Sequence, residues 1–173
     1  MNEYRDRLLA LVAGEDPYVV LEATPRRLVD LHAELGEWRI GQPWAPGKWT
    51  GRQIFGHLAD VEQSVGFRVR QVVTSPPGHV IQPFDQDLWA KPYPRLASRA
   101  AVRALVALRA WNLSYFRTLG PDDLRRAGTH PERGEESVDM LLRMQAGHDR
   151  NHLAQLEALG AIPEPVVPDE DDE

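Results

Sequence analysis

The chain has 173 residues, 42% of them apolar and 27% charged, a size that suits one domain with a core of its own. It has no cysteine, which excludes disulfides, thiolate nucleophiles, iron–sulfur clusters and Cys-type zinc sites, so any metal must be held by His, Asp or Glu. Much of the acid behind the net charge of −6 sits in Glu164 and the run 169–173, and the nearly neutral body has no basic footprint for nucleic acid.

From the N-terminus, Leu8, Leu9, Leu11 and Val12 predict a short helix ending near Gly14. A second helix is expected to open with Thr24 as N-cap and Pro25 at the first helical position. Its stripe is Leu28, Leu31 and Leu35, and Gly36 ends it. After the loop QPWAPGKW, Thr50 and Gln53 form a capping box for a long helix whose inward stripe is Ile54, Leu58, Val61, Val65, Val69 and Val72. Residues 75–96 are rich in proline and aromatics; so long a connection is functional or packed, and Phe84, Trp89 and Tyr93 favour packing.

The segment SRAAVRALVALRAWNLSYF predicts another long helix, with Val102, Leu105, Val106, Leu113 and Phe116 inward and Gly120–Pro121 closing it. A helical turn (PDDLRRAG) and a loop (THPERGEE) follow, and Ser137 caps a last helix that stops at Gly160. No strand alternation stands out. Four substantial helices with one long connection between the second and third predict an all-α four-helix bundle over 1–162, with 163–173 an acidic, disordered tail. No apolar run approaches the ~18 residues of a membrane span, and the start MNEYRD is unlike a signal peptide. The expectation is a cytoplasmic protein without a membrane or nucleic-acid partner.

His148 and His152 lie four apart in the last helix, about 40° apart around the axis and about 6 Å along it. They interrupt the apolar stripe of Leu141, Leu156 and Leu159, and His57 interrupts the stripe of Ile54, Val61 and Val65. An unsatisfied buried polar group costs about 1–3 kcal/mol. Ligation of a shared ion recovers that cost, and so do hydrogen bonds within the core; spacing alone leaves both open. His32 reads as a flanking residue, and His79 and His130 as surface loop residues, His130 at a pocket rim.

Other sites fail on their residues. HDRNH carries Asp149 where a zincin has glutamate, with no sheet and no suitable downstream ligand. No Glu has a His three residues later, as a di-iron bundle requires, and no Gly-x-Ser-x-Gly or phosphate loop is present.

The segment APGKWTGRQIFGHLADVEQ, followed about ninety residues later by HPERGEESVDMLLRMQAGHDRNHLAQLEAL, resembles the DinB-like superfamily, in particular its YfiT-like branch. The resemblance runs from Pro17 to Leu159. It implies a four-helix bundle holding a divalent ion, usually nickel or zinc, by three histidines; the matching positions are His57, His148 and His152. Activities in the family include thiol-dependent transferases and isomerases, and other members are named metal-dependent hydrolases.

A three-histidine site with open positions can bring bound water to a pKa of about 7, giving a hydrolase. It can also bind a small thiol as thiolate, giving an S-transferase whose thiol must be a cosubstrate, since the chain has no cysteine. Manganese or iron would also fit three imidazoles. Asp60 and Asp149 are candidate bases, and Arg68 shares the angular position of His57 three turns on. Arg143 and Arg150 flank the ligand helix, while Trp49, Trp89, Tyr93 and Trp111 either wall a pocket or fill the core. The partner expected is a small-molecule substrate, and a homodimer is compatible with the exposed helix faces. The alternative is a non-enzymatic, metal-stabilised binding or stress-response bundle.

Overall fold

The computed structural model describes residues 3–165. Most of the expected tail, 166–173, lies outside them. The elements are α1 (Glu3–Ala10), α2 (Pro17–Ile40), α3 (Gly51–Thr74), the short α4 (Gln86–Ala90), a 3-10 turn (Tyr93–Arg95), α5 (Ser98–Phe116), the short α6 (Pro121–Arg125), β1 (Ala127–His130), β2 (Gly134–Ser137) and α7 (Val138–Leu159). Helices α2, α3, α5 and α7 form a four-helix bundle. Both α2 and α3 pack on α5 and on α7, so these two consecutive helices lie across a diagonal of the bundle. Among the described residues, no helix is long and apolar enough to cross a membrane.

The start of α2 corrects the expectation at Thr24. The helix opens about two turns earlier, with Asp16 accepting from the Tyr18 N–H and Pro17 in the first turn. Pro25 therefore lies inside the helix, where it cannot supply the N–H that the Leu21 carbonyl would otherwise accept. Arg109 of α5 replaces that donor, its Nη1 2.8 Å from the Leu21 oxygen. The Thr24 hydroxyl donates to the Val20 carbonyl instead of capping. Gly36 does break the helix: its φ of 65° is left-handed, and the chain resumes helical geometry beyond it to Ile40.

The loop expected at THPERGEE is an antiparallel hairpin, with Ala127 opposite Ser137 and His130 opposite Gly134. Its first strand also pairs with the long connection, since the Ile81 N–H donates to the Thr129 carbonyl and the Thr129 N–H to the His79 carbonyl. The connection 75–96 is thus tied down, and Tyr93 is buried against α3. The capping box of Thr50 and Gln53 and the Ser137 cap are present.

The core has two apolar halves. Val61, Val65, Val69, Leu113, Phe116, Leu141 and Leu142 belong to one, and Leu28, Leu31, Ile54, Leu58, Leu105, Leu156 and Leu159 to the other. On every helix of the bundle the changeover is marked by buried polar residues: Thr24 on α2, His57 and Glu62 on α3, Arg109 and Asn112 on α5, and Gln145, His148, Asp149 and His152 on α7. A polar layer therefore crosses the middle of the bundle.

Candidate metal centre

The structure brings His57, His148 and His152 together from α3 and α7. All three are buried, and one ring nitrogen from each lies within 4.8 Å of the others. His57 Nε2 and His148 Nε2 are 2.9 Å apart. His152 Nδ1 faces Gln155 Oε1 at 2.8 Å, so the Nδ1–H tautomer donates there and leaves the Nε2 lone pair for the cluster. The Nδ1 atoms of His57 and His148 have no partner.

Electrostatics keep these rings neutral. Burial pushes His57 down to about 3, helped by the nearby His152. Burial pushes His148 well below its ordinary value, with His152, His57 and Arg109 adding to the effect. Burial takes His152 down to about 4 against the opposing hydrogen bond from Gln155. Neutral imidazoles are the form that ligates metal. Three of them converging, with no cysteine or buried carboxylate among them, fit a divalent ion that prefers nitrogen ligands.

The two candidate carboxylate bases are placed elsewhere. Asp60 accepts from the Tyr93 hydroxyl at 2.5 Å and lines a second cavity with Arg52 and Gly56, where it ties the long connection to α3. Asp149 is 0% exposed and lies 2.8 Å from Arg109 Nη1, an ion pair by distance in which neither carboxylate oxygen accepts a hydrogen bond of good geometry.

Arg109 anchors a network the sequence reading did not identify. Its Nε donates to Glu62 at 2.8 Å, and Glu62 also accepts from Asn112 at 2.8 Å and Gln145 at 3.0 Å. Burial alone would lower the Arg109 pKa, but Asp149 and Glu62 outweigh it and raise it. The signal was present: Arg109 falls midway between Leu105 and Leu113 on the inward stripe of α5, as the histidines do on theirs.

His57 and His148 form one end of a cavity of about 400 Å³ whose walls include Val61, Val65, Arg68, Phe84, His130 and Met144. Helix α1 closes one side, with Tyr4 and Leu8 in the wall. It packs so closely on α7 at Gly147 that an added methyl there would lie 2.7 Å from the Leu8 carbonyl carbon. His130, expected at the surface, is buried on β1 and accepts from the Glu132 N–H. His32 is half-buried beside Ser98 Oγ at 3.0 Å, and His79 is half-buried.

Of the aromatics, Trp49 stands edge-on to His57 with ring centres 4.9 Å apart. Trp89 stacks on Phe84, and Trp111 is 67% exposed and lines neither of the two cavities described, with the Arg70 guanidinium 6.0 Å from its ring centre. Arg143 pairs with Asp139 and the exposed Arg150 with Glu15.

Comparison with known proteins gives the family and agrees with the fold. The sequence model of the DinB superfamily matches residues 20–156. A protein of Oceanobacillus iheyensis named "putative metal-dependent hydrolase" is 31% identical over 80% of this chain and 81% of its own length. One of Bacillus mycoides with the same name is 26% identical over 80% of each chain. YfiT from Bacillus subtilis, described as "a probable metal-dependent hydrolase with an unusual four-helix bundle topology", superposes with a TM-score of 0.76 at 23% identity, covering 92% of this chain and 87% of YfiT. The four-helix bundle protein TT2238 superposes at 0.61 with 25% identity, covering 82% and 96%.

Proposed function

Because the chain belongs to the DinB superfamily, we propose that His57, His148 and His152 hold one divalent cation and that the protein uses it to transform a small molecule in the cytoplasm. Nickel or zinc suits three imidazoles better than manganese or iron. The observation that carries this reading is the convergence of three buried, neutral imidazoles, two of which, His57 and His148, line a cavity of about 400 Å³. An ion held by these three residues would have room for a further ligand and would supply either a bound water with its pKa lowered toward about 7 or a small thiol held as its thiolate.

The chain's own residues do the rest. Gln155 fixes the His152 tautomer, Trp49 packs on the His57 ring, and Val61, Val65 and Leu141 give the cavity beyond the histidines an apolar wall. Hydrolysis is the first reading, in keeping with the names of the relatives. Thiol transfer is the second reading: Asp60, Asp149 and Glu62 are all engaged elsewhere, and a nucleophile ionised on the ion, whether hydroxide or thiolate, would need no carboxylate base.

The test is to strip the protein with chelator, reload it with each metal, and assay small ester hydrolysis beside thiol addition to epoxides and alkyl halides. Turnover of either class that disappears in His57→Ala is expected. No turnover of either class by fully loaded protein contradicts the enzymatic reading and leaves a metal-stabilised binding protein.

A further inference from the structure

The floor of the cavity is a single stripe of α3. His57, Val61, Val65 and Arg68 all line it, and His57 and Arg68, eleven residues apart, differ by only about 20° around the helix axis. Their Cα atoms are separated by roughly 16 Å along the axis. The arginine shortens that gap, because helical side chains lean toward the N-terminus.

Arg68 is an unusual residue to find there. It is 8% exposed, and among the described residues no carboxylate lies within ion-pair distance of it. Its Nη2 donates to the Gln82 carbonyl at 2.8 Å, and its guanidinium carbon lies 5.3 Å from the centre of the Phe84 ring. Its Nε is buried with no partner. The neighbouring Arg133 and Glu136 neutralise each other through two hydrogen bonds, leaving the charge of Arg68 uncompensated. A buried cation without a counter-ion is costly, and an anion from outside the chain removes that cost.

We propose that the cavity binds a small molecule with a carboxylate at one end and an apolar middle, its carboxylate held by Arg68 and its reacting end lying at the three histidines. Val61 and Val65 contact the middle from below and Phe84 lies at the Arg68 end. Arg68 lines the cavity, and its planar guanidinium would hold a carboxylate by charge-assisted hydrogen bonds in a geometry that a lysine does not offer. The orientation of the ligand rests on the metal reading above; the carboxylate subsite does not.

The test separates the two. In metal-free protein, linear carboxylates of four to eight carbons and the alcohols of equal length are titrated by calorimetry into wild type, Arg68→Met and Arg68→Lys. A carboxylate should bind wild type at least about tenfold more tightly than its alcohol, lose that advantage in Arg68→Met and keep part of it in Arg68→Lys. In cobalt-loaded protein, ω-mercaptoalkanoates and plain alkanethiols are followed by the thiolate-to-cobalt absorption band, and the mercaptoalkanoate should be the tighter of each pair. Arg68-dependent carboxylate binding with no thiolate band for either thiol upholds the subsite and overturns the placement of the reacting end at the histidines, and protein that takes up no cobalt overturns the metal reading itself. Equal binding of acid and alcohol by wild type overturns the subsite, whichever variants fold.

Discussion

Replacing Arg109 with Met tests whether the polar layer holds the bundle together. Arg109 is 1% exposed and makes three contacts of 2.8 Å, to Glu62, the Leu21 carbonyl and Asp149. Methionine fills part of the volume but removes the cation, leaving two buried carboxylates without a counter-charge and the Leu21 carbonyl without the donor that Pro25 denies it. Removing one partner of a buried ion pair costs about 3–5 kcal/mol, a large share of the 5–15 kcal/mol typical of a domain. At a urea slope of about 2 kcal/mol/M the unfolding midpoint should fall by roughly 2 M. The control is Arg117→Met: that residue pairs with Glu22 at the surface, and its loss should cost less than about 1 kcal/mol. If both variants unfold within about 1 kcal/mol of wild type, the layer is not the device described here.

Two further predictions follow from the same geometry. Gly147→Ala should cost about 1–3 kcal/mol by overpacking and should raise amide exchange across α1, since the new methyl occupies the space of the Leu8 carbonyl. Unchanged α1 protection would refute that contact. In metal-free protein, the folded-state pKa values of His57, His148 and His152 all lie below the unfolded value of about 6.5. The unfolded chain therefore binds more protons below that pH. Stability from these rings is complete above about pH 6.5 and is lost as pH falls toward 4, at about 1.4 kcal/mol per pH unit for each ring. Urea midpoints of wild type and of the triple leucine variant should diverge over that range, and parallel midpoints would contradict the depressed values.

Much of this molecule could be read from its sequence, for identifiable reasons. The long helices carry apolar stripes at helical spacing, α3 and α7 have legible side-chain caps, and the two-helix histidine cluster stands out because imidazoles interrupt the stripes of those two helices. The Thr24–Pro25 pair misled because it has the residue types of a helix start; only the tertiary contact from Arg109 makes a mid-helix proline tolerable there. The hairpin at 127–137 went unseen because its strands are four residues each and carry Gly, Glu and His in place of an apolar alternation. Glu62 and Arg109 are not legible as site residues because charged residues on amphipathic helices are usually solvated, and Asp149 reads as a candidate base when it is a partner of Arg109. Their position on inward faces was the available sign.

The central claim is one ion shared by α3 and α7, and metal content measures it most directly. Untagged wild type, His57→Ala, His148→Ala and His152→Ala would be grown in supplemented medium, checked for helical content by circular dichroism, and analysed by mass spectrometry. The account predicts about one divalent ion per chain in wild type and its loss in all three variants. Wild type that takes up no metal even on titration, or folded variants that keep the wild-type content, would contradict it.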